Sequence, residues 1–169
     1  MAAVTVQNFD GTILAAVDTA LAGATLNGVT VFKSVTVSTS EAQAREAQFK
    51  GATPRIIILY NGTEDAVGID GERCCTMSLE LLIASKADPA IDESARITEI
   101  MRLMNLAKNA IEESPPADAK GFGDEDQSHR PGPVWGDLDI TPTEEAKAPW
   151  IACALSVTFG YGLTASTRH

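Results

Sequence analysis

Apolar residues return along this chain with two periods, and each period predicts a different element. Between Asp10 and Gly23, the residues Ile13, Ala16, Val17, Ala20 and Leu21 recur at helical spacing, with Asp10 as a candidate N-cap and Gly23 as a stop. Further on, Val29, Val31, Val35 and Val37 alternate with Thr30, Phe32, Ser34 and Thr36, a β-branched alternation that predicts a strand. Ser40 to Gln48 reads as a short polar helix. Arg73 to Lys86 places Met77, Leu79, Leu81 and Ile83 on one face and Ser78 and Glu80 on the other, which predicts a long strand.

One stretch fits neither period. In ATPRIIILYNG, residues 52–62, the unbroken run Ile56, Ile57, Ile58 and Leu59 stands between a proline and an Asn-Gly dipeptide. Successive strand side chains point to opposite faces, so this run needs apolar cover above and below. A crossing helix or a neighbouring chain has to supply the second cover. Ile57 and Ile58 are therefore candidate interface residues. An aspartate at one is expected to unfold the subunit and at the other to leave it folded but monomeric. The following NGTEDAVGIDG, bounded by turn dipeptides, reads as a loop where the chain doubles back.

Asp88-Pro89 matches an N-cap with proline at the first helical position. The helix it introduces carries Ile97, Ile100, Met101, Met104 and Ile111, is widened by Leu103 and Leu106, and is halted by Ser114-Pro115-Pro116. Residues 114–133 hold four prolines, three glycines and the acids Asp118, Asp124, Glu125 and Asp126, so they read as a long flexible loop within one domain spanning 1–169. Two strands close the chain. In the last, Ile151, Cys153, Leu155, Val157, Phe159 and Tyr161 alternate with Ala152, Ala154, Ser156, Thr158 and Gly160, making one bulky face and one smooth face that permits close approach. The expected fold is α+β: a mostly antiparallel sheet of four or five strands, packed by two main helices on one face.

Charge and chemistry narrow the function. A net charge of −10 argues against gripping a duplex, while an acidic surface suits one that DNA slides past. Cys74, Cys75 and Cys153 lack CxxC spacing and read as free thiols. The first residues lack a charged segment followed by an apolar block, and no apolar stretch has the length of a membrane span, so neither export nor a membrane is expected. The histidines, His129 in the long loop and His169, are poorly placed for a catalytic triad, and no GxSxG elbow accompanies them. Asp124, Glu125 and Asp126 begin like a calcium loop, but Ser128 and Arg130 follow and Trp135 stands where a bidentate glutamate is required. They remain a candidate partner-docking cluster. No phosphate-cradling glycine motif is present. No catalytic residue, metal or cofactor is expected.

The order TILAAVDTAL, TPRIIILYNG, MSLELLIASK, ITEIMRLMNLAKNAI, a polar excursion and WIACALSVTFGYG resembles the tail terminator proteins of long-tailed bacteriophages, the Mu-like and lambda-like phages among them. The resemblance implies a structural virion protein, not an enzyme. It implies a homohexameric ring that caps the tail tube, stops its polymerisation and offers a head-joining surface. Its partners would be copies of itself, the tail tube protein and a neck or head-completion protein, with DNA passing the lumen without specific binding. Two other readings stay open: another neck or tube component, and a small ligand-binding domain or enzyme with a deep polar pocket.

Overall fold

The computed structural model describes residues 9–67, 73–113, 133–142 and 149–163. Helix α1, Phe9–Ala22, buries Ile13, Val17 and Leu21, spaced four apart on one stripe. Asp10 lies within the described helix, and the Gly23 N–H closes the helix on the Thr19 carbonyl at 2.9 Å. The alternation expected to be a single strand from Val29 to Val37 is divided. Asn27 (φ 52°) and Gly28 (φ 78°) turn the chain between the short strands β1, Thr25–Leu26, and β2, Val29–Thr30. Two consecutive positive φ values are what an Asn-Gly hairpin turn supplies. Phe32 then drops into the core, and strand β3 covers only Ser34–Ser38.

Helix α2, Glu41–Gln48, starts where the sequence predicts, with the Ser40 hydroxyl accepting from the Gln43 N–H. Strand β4 is Arg55–Val67 and strand β5 is Arg73–Lys86. The stretch expected to be a loop after Tyr60 is thus mostly strand. Asn61-Gly62 makes a bulge, not a turn: the ladder shifts between Tyr60 and Thr63, and Gly62 has φ 103°. Asp88 caps only an isolated turn, its carboxylate accepting from the Ala90 N–H. The cap of α3, Glu93–Glu113, is Asp92, which accepts from the Ala95 N–H at 2.8 Å. Strands β6, Pro133–Ile140, and β7, Trp150–Leu163, complete the described chain.

The main sheet is α+β and mixed, ordered β3-β4-β5-β7-β6. Only β3 and β4 run parallel, joined through α2; every other pair is antiparallel. Helices α1 and α3 pack on one face over Ile56, Ile58, Leu79, Leu81, Ile83, Leu155 and Val157. Helix α2 crosses the other face, where Ala44 joins Ile57, Leu59 and Leu82 in a smaller cluster. The apolar run thus receives both covers from its own chain. β4, β5 and β7 also pair beyond the flanking strands: Val67 opposes Arg73, and Arg73 opposes Leu163.

Candidate functional site

Ile57 and Ile58 are 1% and 0% exposed, so neither presents surface to another molecule. Both expected aspartate substitutions therefore act on the fold of the single chain. Asp124, Glu125 and Asp126 lie outside the described residues, as do the rest of the 114–132 segment, His129 and His169.

The surface that the fold leaves open is at the two ends of the sheet. β3 pairs only with β4, and β6 only with β7, so each has one side without a strand partner among the described residues. Their side chains are correspondingly exposed: Val37 at 42% on β3, and Leu138 at 36% on β6. The register links them. Val37 pairs with Ile58, Ile58 with Leu81, Leu81 with Leu155, and Leu155 with Leu138, so the two residues end one row across the α1/α3 face. The neighbouring row on the α2 face runs Thr36, Ile57, Leu82, Ala154 and Asp139.

The edges differ in charge. β6 carries the exposed acids Asp137 and Asp139, with a bulge at Gly136-Asp137 opposite Ser156. β3 carries no charge and follows the exposed Lys33. One strand inward from β3, Arg55 is 8% exposed and its Nε has no hydrogen-bond partner among the described residues. Burial pushes its guanidinium below the usual arginine range.

Helix α2 packs over Ile57, Leu59 and Leu82, and further along the same face Ser78, Ser156 and Thr158 are half-buried. It is anchored by buried Gln48, whose Nε2 donates to the Ile83 and Cys153 carbonyls at 3.2 and 3.3 Å, and by the Arg45–Glu80 ion pair at 2.9 Å. Arg96 is also buried but satisfied, donating to the Trp150 carbonyl and so tying α3 to β7. The tryptophans are packing residues. Trp150 meets the Phe49 ring edge-on at 5.7 Å and lies under Lys86, while Trp135 donates to Glu112 at 2.7 Å. On α3, Ile97 and Met101 remain over a third exposed, so the buried stripe is Ile100, Leu103, Met104, Ala107 and Ile111.

Among the described residues, no group of three or more His, Cys, Asp or Glu side chains could hold a metal. The Cys153 thiol is free, and burial pushes its pKa up to about 12. A groove of about 230 Å³ lies between the ends of α1 and α3, with Ala20, Ala24, Leu106, Ala110 and Glu113 in its walls. No described helix is long and apolar enough to cross a membrane. In comparison with known proteins, no family model and no curated protein matches the chain.

Periodicity alone missed the edges. DLDI, residues 137–140, carried a signal: an apolar residue flanked by acids in a strand pattern is typical of an edge, where charges discourage indiscriminate pairing.

Proposed function

We propose that this chain is a structural subunit of a closed homo-oligomeric ring, the tail terminator of a long-tailed phage or a related particle. In that role it caps the tail tube, stops its growth and presents a head-joining surface. The observation that carries the reading is a pair of chemically unlike edges at opposite ends of one sheet, each without a second strand partner among the described residues. Unlike surfaces on one subunit make heterologous contacts, and these close into a ring when the rotation between neighbours divides a full turn. A self-complementary patch would instead stop at a dimer. The charge of −10 suits a lumen past which DNA slides without sticking. The resemblance in element order supplies the hexameric count, the tube and neck partners, and the location in the virion neck.

Light scattering coupled to size exclusion, with negative-stain imaging of the protein alone and mixed with its tail tube protein, tests the proposal. Closed rings, free or seated on tube ends, are expected. Open tubes built from this chain alone would make it a tube component. A monomer at every concentration that tube protein does not recruit would refute the ring and favour a small binding domain.

A further inference from the structure

We propose, resting on the ring reading, that its subunits join through their sheet edges: β6 of one copy pairs antiparallel with β3 of the next, with Leu138 beside Val37 and Asp139 beside Thr36. The strand directions require the antiparallel sense. β3 and β4 point one way, β5 the other, β7 back again, and β6 opposite to β7, so β6 opposes β3 in a sheet that continues with the same face up.

Three features select this register. Leu138 and Val37 already end the same row of the α1/α3 face, so a sheet continued without shear apposes the large apolar side chain that each edge exposes on that row. The same alignment is consistent one position further, where half-buried Ile140 meets half-buried Val35. On the opposite face Asp139 arrives beside uncharged Thr36, one strand away from Arg55 and one same-face position along. Two strand spacings and one two-residue step put the Asp139 and Arg55 Cα atoms ~12 Å apart. An extended arginine and an aspartate bridge that separation.

Charge makes the contact directional. Two β6 edges brought together would set Asp137 and Asp139 against their own copies, and like charges across a strand pair are unfavourable. The β3 side offers Lys33 and the buried Arg55, which has no counter-ion among the described residues. A neighbour's carboxylate would supply one, and a buried charge gains far more from a partner than an exposed one does. The β6 bulge limits the shared ladder to the stretch beyond Asp137, which favours a short defined contact over sheet growth at any register.

Cysteine crosslinking tests the geometry, because directly opposed strand positions bring Cβ atoms within disulfide reach. The double variant Val37→Cys, Leu138→Cys, oxidised as the assembled protein, should give a covalent ladder up to the ring number, absent from the oxidised unmodified chain and collapsed by reductant. An equimolar mixture of the two single variants should stop at a covalent dimer. Asp139→Lys, at an exposed position, should weaken association at least tenfold while leaving circular dichroism and thermal melting of the subunit unchanged. Rings without a ladder would overturn the edge contact and leave the ring standing. A covalent dimer from Leu138→Cys alone would show β6 meeting β6 and overturn it as well. Failure of the unmodified protein to assemble would remove both proposals.

Discussion

If α2 supplies the second cover of the apolar run, shortening Ile57 must cost the single chain stability. Ile57→Ala and Ile58→Ala remove the same atoms from adjacent residues of one strand, so the difference between them reports their surroundings. Ile58 lies at 0% exposure in the large cluster beneath α1 and α3, whose walls come from several long elements. Isoleucine-to-alanine changes in such sites cost about 2–5 kcal/mol, more where the cavity cannot collapse, which places Ile58→Ala at about 4 kcal/mol. Ile57 is equally buried, but its cluster is Ala44, Leu59 and Leu82 beneath an eight-residue helix. α2 can settle toward the gap, so about 2–3 kcal/mol is expected.

Urea unfolding at a fixed low subunit concentration is the assay, since association would add to the apparent stability. With a slope of about 2–3 kcal/mol per molar, the midpoint should fall by about 1 M for Ile57→Ala and somewhat more for Ile58→Ala. Aspartate at either position should unfold the chain, because an unpaired buried charge consumes most of a domain's ~5–15 kcal/mol. A midpoint shift below about 0.2 M for Ile57→Ala, or a folded monomeric Ile57→Asp, would refute the reasoning and return the second cover to a neighbouring subunit.

Arg55→Met should stabilise the free chain by about 1 kcal/mol in the same assay, by removing a buried guanidinium whose Nε is unsatisfied, while weakening association measured by light scattering. Gly62→Ala should cost about 1–2 kcal/mol through backbone strain alone, since φ is 103° and no atom lies within 4 Å of the added Cβ. Cys153 should resist alkylation in the native state and react on unfolding, followed by peptide mass spectrometry. Its folded pKa of about 12 lies above the ordinary 9.0, so its contribution is present below about pH 9 and is lost as pH rises toward 12, which pH-dependent melting should detect. Association should strengthen between about 10 and 150 mM salt, because repulsion between subunits of charge −10 is screened over that range while the proposed Asp139–Arg55 pair, buried in the contact, would not be.

Where one face carries a regular apolar row, periodicity was enough to place an element. Met77, Leu79, Leu81 and Ile83 marked β5 and the face it turns to α1 and α3, although Leu82 on its other face is buried beneath α2, and the stripe of α1 behaved alike. Errors arose where local turn chemistry and the sheet competed. Asn27-Gly28 turned the chain inside an alternation that looked continuous, whereas Asn61-Gly62, a similar dipeptide, was absorbed as a bulge because β5 continues to pair on its far side. The dipeptide gives the positive φ; the partner strand decides whether the chain reverses. Asp88 and Asp92 differ in the same way, since both cap a turn and only the second has a periodic apolar stripe after it. The candidate edges were least legible. Whether a half-apolar strand lies at a sheet's centre or its end depends on strand order, which periodicity does not encode.

Strand order also decides what form of assembly these edges support. With β3 and β6 at opposite ends, each subunit can use both edges at once, one for each neighbour. In the proposed contact the shared ladder is short and each subunit carries ten net negative charges, so a single contact between two copies would be weak. Closure changes that balance. The last contact of a ring forms within an assembly already held together, at a high effective concentration, and breaking any one contact leaves the rest in place. A chain with modest, unlike edges therefore favours a complete ring over short open arrays, provided the rotation per contact closes. That is the property a tube cap requires: little tendency to build on its own in one direction without limit, and a stable end state once the circle is full.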